Sequence, residues 1–164
     1  MHVMRRFVSV GLVVFASAVA VTSAPAAYAA APTPANGTFA ASISPVGTRS
    51  ADGNTLISFT FVENFQGTLT GTRAGTGRLV IHPDGTINAR VSGLFTGSIA
   101  GASGTATLSD SLSGTFSALT ADFVVTDGMG GLSGIHVQGI AAGAATGPVT
   151  FAGTYSGQVS SSGS

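Results

Sequence analysis

Residues Ala121 to Gly139 read Ala-Asp-Phe-Val-Val-Thr-Asp-Gly-Met-Gly-Gly-Leu-Ser-Gly-Ile-His-Val-Gln-Gly. Ala121, Phe123 and Val125 recur every second residue, the period that places side chains on one face of a strand. Asp127-Gly128-Met129-Gly130-Gly131 then predicts a loop, because clustered glycines open backbone conformations with φ > 0. Leu132, Ile135 and Val137 return to apolar character between Gly134 and Gly139. This half predicts a short tucked-in segment that plugs or crosses a sheet, with the remaining strands closing around it.

Outward from this stretch, strands predominate. Thr38–Ser44 alternates, with Phe39, Ala41 and Ile43 on one face; Thr55–Val62 does the same with Ile57, Phe59 and Phe61. Pro45–Asn54 between them reads as a loop. Gly75-Thr76-Gly77 reads as a turn and Pro83-Asp84-Gly85 as a hairpin turn, where proline presets φ and glycine takes the positive value. Leu112, Gly114, Phe116 and Ala118 hold one phase and Leu119 onward holds the other, so a turn or bulge falls between Ala118 and Leu119. Ala141–Gly147 reads as a small-residue linker. The last strand alternates most cleanly, with Val149, Phe151, Gly153, Tyr155, Gly157 and Val159 in phase.

Helix formers are scarce and β-branched residues and glycine abundant. Seven to nine short strands predict an all-β fold, a closed antiparallel barrel of about eight strands, with a β-sandwich as the alternative. Closure removes exposed edges, an advantage for a chain with only 7% charged residues.

The N-terminus stands apart. Arg5 and Arg6 precede the uncharged apolar run Phe7–Val21, and Ala27-Tyr28-Ala29 has the small-residue pattern of a cleavage site. Residues 1–29 therefore read as a secretory signal peptide and the protein as secreted or extracytoplasmic, with no integral membrane segment after cleavage. Residues 30–36 read as a flexible leader, 37–159 as one barrel domain and 160–164 as a disordered tail. Cysteine is absent, so the core alone must hold an exported domain. Few charges and no basic stripe argue against nucleic acid as a partner.

The glycine-rich motifs resemble a known group. Gly37-Thr38-Phe39, Phe65-Gln66-Gly67-Thr68-Leu69-Thr70-Gly71 and Asp127-Gly128-Met129-Gly130-Gly131-Leu132-Ser133-Gly134 look like the pattern of the bacterial domain of unknown function 3224 family. That resemblance implies a calycin-like, eight-stranded antiparallel barrel similar to allene oxide cyclase. It carries over no catalytic residue.

Reactive side chains are sparse. Glu63, the only glutamate, and His82 are the weak catalytic candidates: a carboxylate at a barrel mouth can have a raised pKa, but the preferred reading of Glu63 is a solvated strand end. His82 and His136 lie far apart without ligand spacing, so no metal and no cofactor is expected. Asp110, Asp122 and Asp127 show no pairing. Phe39, Phe59, Phe61, Phe95, Phe116, Phe123, Phe151 and Tyr155 would converge inside a barrel, lining a pocket for a small apolar molecule or filling a core. The sequence thus predicts a non-catalytic barrel that binds such a ligand or serves structurally. The alternatives are a cyclase- or isomerase-like enzyme acting by confinement, and a surface- or matrix-associated protein.

Overall fold

The computed structural model describes residues 31–162. The signal peptide reading and the last residues of the tail lie outside them. The described chain is eight strands: β1 Thr33–Ala51, β2 Asn54–Gly67, β3 Leu69–Ile81, β4 Ile87–Ile99, β5 Ala102–Thr115, β6 Ala118–Gly130, β7 Ile135–Ala145 and β8 Thr150–Ser161. Each pairs antiparallel with the next, and β8 pairs back with β1, closing the barrel. Among the described residues no helix is long and apolar enough to cross a membrane.

The strands are longer than their sequence pattern suggests. Gly75-Thr76-Gly77 does not turn; it lies within β3, where Gly75 faces Gly93 and Gly77 faces Val91 of β4. The real β2–β3 turn is at Thr68, between Gly67 and Leu69. Pro45–Asn54 is mostly strand too. β1 continues through a bulge between Pro45 and Gly47 that leaves Val46 exposed, and it turns only at Asp52-Gly53. A bulge accommodates proline's missing N–H without breaking the ladder. Ala141–Gly147 is not a linker, since Ala141 to Ala145 pair with Tyr155 to Phe151. The leader is shorter than read: Thr33–Asn36 pairs with β8, and Ala35 is fully buried. β8 likewise extends to Ser161, inside the segment read as tail.

Inward-facing glycines meet across strands, as Gly71 with Gly97, Gly139 with Gly157 and Gly143 with Gly153. Aromatic rings cover the gaps. A Cβ at Gly153 would collide with the Ala142 carbonyl oxygen and come within 2.8 Å of the Phe39 ring. Such pairs bend the strands and make room for large rings in a narrow barrel. Gly153→Ala is expected to cost about 1–3 kcal/mol in urea unfolding. At Gly47, where an added Cβ meets nothing within 4 Å, the same change should shift stability by under ~0.5 kcal/mol.

The interior has two halves. At the end where β1 starts and β8 finishes, Phe65, Leu69, Phe95, Ile99, Leu108, Phe123, Val125, Val137, Tyr155 and Val159 pack into one cluster. Leu132 closes it with no exposed surface, held where Gly131 N–H donates to Ser103 O (2.8 Å) and Ile135 N–H to Leu132 O (3.0 Å). The plug is thus a tight turn, Gly131–Gly134, while Asp127–Gly130 ends β6 and Ile135 onward is an ordinary wall strand. Asp127 (φ 53°), Gly130 (68°) and Gly134 (74°) supply the left-handed positions. At the opposite end a second cluster, with Phe59, Phe61, Leu79, Ile87, Ala89 and Leu119 at its heart, lines the wall without filling it.

Candidate functional site

The second half holds an open-mouthed cavity of about 100 Å³. Its walls are apolar: Phe39, Ile43, Phe59, Phe61, Leu79 and Phe151, with Phe116 at the β5–β6 turn. Phe116 stacks on Phe151 at 6.4 Å and is 38% exposed, so the pair forms part of the rim.

Glu63, Arg73 and Asp110 are the charged groups in this wall. They arise from strand geometry. Glu63 shares the inward phase of Phe59, Phe61 and Phe65, Arg73 that of Leu69 and Leu79, and Asp110 that of Ala106 and Leu108. Glu63 and Arg73 are also directly opposed across β2 and β3. Arg73 is 1% exposed. Its Nη1 donates to Glu63 Oε2 (2.9 Å) and to Asp110 Oδ2 (2.8 Å). Its guanidinium carbon lies 4.7 Å from the centre of the Phe61 ring, a cation–π contact.

The trio is under-satisfied. Two carboxylates share one guanidinium nitrogen, and Arg73 Nε, Arg73 Nη2 and Asp110 Oδ1 are buried without a hydrogen-bond partner. Buried polar atoms in that condition are uncommon and call for an explanation. Burial raises the Glu63 pKa to about 7, against the lowering effect of Arg73 and with a smaller push from Asp110. Burial also raises Asp110, again opposed by Arg73.

The aromatic candidates separate. Phe39, Phe59, Phe61, Phe116 and Phe151 line the cavity. Phe95, Phe123 and Tyr155 do not; they pack in the filled half, with Tyr155 edge-on to Phe65 and Phe123. The Tyr155 hydroxyl accepts from Leu69 N–H (2.8 Å) and so pins β8 to the start of β3; burial raises its pKa. Glu63 is no solvated strand end, because β2 runs four residues past it. His82 does not line the cavity. It follows β3, with Nδ1 2.8 Å from Asn54 Oδ1 and Nε2 2.8 Å from Asn88 Nδ2. Arg73 and Asp110 were absent from the sequence candidates, although a charged residue in the apolar phase of a strand was a readable signal for both.

Fold and site together define a class: a closed eight-stranded antiparallel barrel, packed solid at one end and hollow above a buried ionic cluster at the other. The fold is similar to the crystal structure of a protein of unknown function from the DUF3224 family of Shewanella oneidensis MR-1. The TM-score is 0.67 at 16% identity, covering 82% of this chain and all of that one. At this identity the likeness is one of fold. No family model matches the sequence, and no curated protein matches it.

Proposed function

We propose that this is an exported barrel that binds a small apolar molecule in its hollow half. The observation that carries the reading is the contrast between an apolar wall and a floor of buried, incompletely bonded charge. A purely structural barrel has no need of that floor, since replacing a buried ion cluster with apolar side chains is often neutral or stabilising. The volume sets the scale: about 100 Å³ compares with the roughly 150 Å³ apolar cavity that takes up benzene. A single ring or a short branched chain fits inside. Export rests on the N-terminal sequence pattern.

A second reading is favoured by Glu63 itself. A carboxyl group in a cavity wall with a pKa of about 7 can give and take a proton near neutral pH, the requirement for an acid–base isomerase. Each described strand pairs with two neighbours, which limits assembly through strand pairing to stretches such as β1 past Ile43, where β1 pairs with β2 alone.

Native mass spectrometry of protein purified from culture supernatant tests the binding reading. The expected result is a chain beginning at Ala30 that carries a small adduct. Ala41→Phe, which fills the cavity wall, should lose the adduct while keeping the β-sheet circular dichroism spectrum. A folded wild type without an adduct, and with no affinity for added ring compounds, would overturn it.

A further inference from the structure

Resting on the binding reading, we propose that the ligand is an uncharged molecule whose single acceptor oxygen takes a hydrogen bond from the protonated Glu63 carboxyl at the cavity floor.

The charge count selects against an anion. Glu63, Asp110 and Arg73 carry a net negative charge when both acids are ionised, and an anionic ligand would add a second to a low-dielectric site. One proton shared by the two acids neutralises the cluster instead. Geometry assigns that proton to the cavity side. Both acids give one oxygen to Arg73 and both line the cavity, with side chains 11% exposed for Glu63 and 14% for Asp110; the difference lies in the second oxygen, since Glu63 Oε1 has no hydrogen bond and is not sealed. Asp110 Oδ1 is sealed from solvent and unpartnered. A proton on Glu63 makes it a donor, and the partner it then requires is an acceptor such as a ketone or aldehyde oxygen. A hydrocarbon leaves that donor unpaired, at a cost.

The competing donors are Arg73 Nε and Nη2, which have no partner but are sealed from the accessible surface. Glu63 faces Ala41 on β1 and Arg73 on β3, and Asp110 of β5 is the other ionisable group acting on it. Among the described residues the cavity lining from β4, β6, β7 and β8 is uncharged.

The test is calorimetric titration of wild type and Glu63→Gln with three ring-sized probes, cyclohexanone, methylcyclohexane and cyclohexanecarboxylate, at pH 6 and pH 8. For the wild type at pH 6, cyclohexanone should bind roughly tenfold tighter than either of the others, as one hydrogen bond to a buried group allows. Its affinity should fall toward that of methylcyclohexane at pH 8. Glu63→Gln keeps a donor that cannot ionise, so its cyclohexanone affinity should be equal at both pH values. Equal binding of ketone and hydrocarbon at both pH values would overturn this inference and leave the binding reading standing. Tightest binding of the carboxylate would overturn it in favour of an anion held by Arg73. Persistent pH dependence in Glu63→Gln would place the proton elsewhere and overturn the assignment. Binding of none of the probes would count against both proposals, and a retained native adduct would then spare the binding reading alone.

Discussion

Arg73→Met is expected to cost about 3–5 kcal/mol of stability at pH 8, the range for breaking a buried ion pair by removing one partner. Methionine keeps most of the side chain's apolar bulk, so the loss is chiefly electrostatic. Glu63 and Asp110 then have no compensating charge, and each gains stability by holding a proton. Because Arg73 lowers both pKa values in the native protein, its removal raises them further. The loss should therefore shrink markedly at pH 5, where both carboxyls can be neutral. Urea unfolding at the two pH values reads this directly. A loss below about 1 kcal/mol, or the same loss at both pH values, would mean that the cluster does not carry buried charge.

The native protein should itself be more stable in mild acid. Glu63 is raised from 4.5 to about 7, so the folded state binds its proton more tightly than the unfolded chain does. Such a group stabilises fully below its unfolded pKa, and that contribution is lost as pH rises through the folded value. Between pH 5 and pH 8 the loss is about 2–3 kcal/mol, from 1.36 kcal/mol per pKa unit. Asp110 acts in the same direction. Asp84 has a lowered pKa, through hydrogen bonds from Thr86, but is fully exposed. Glu63→Gln removes the largest part of the slope. Denaturation midpoints that rise with pH in the wild type, or an unchanged slope in Glu63→Gln, would contradict this assignment.

Much of the barrel was legible from strand alternation. The phases of Phe59/Phe61, Ala121/Phe123/Val125 and Tyr155/Val159 all face inward. Glycine marks a turn at Pro83-Asp84-Gly85 as read, but boundaries were misread at other glycines taken as punctuation. At Gly75, Gly77 and Gly143 it marks close packing beneath rings or opposite another glycine, which depends on the neighbouring strand and not on local sequence. The site was half legible. Parity places Glu63, Arg73 and Asp110 each on an apolar face, but their meeting depends on how Arg73 of β3 reaches Asp110 of β5 across the interior, past the intervening β4. Parity alone also could not show that Phe95, Phe123 and Tyr155 belong to the filled half, since inward direction says nothing of height along the barrel axis.

Glu63 is the only glutamate in the sequence, so selective carboxyl-¹³C labelling of glutamate yields a single side-chain carboxyl resonance to follow through a pH titration. A midpoint near 7, moving with Arg73 or Asp110 substitution, is the result expected for a proton-holding carboxyl at the floor of an apolar cavity. A midpoint near 4.5, the value of a solvated glutamate, would contradict it.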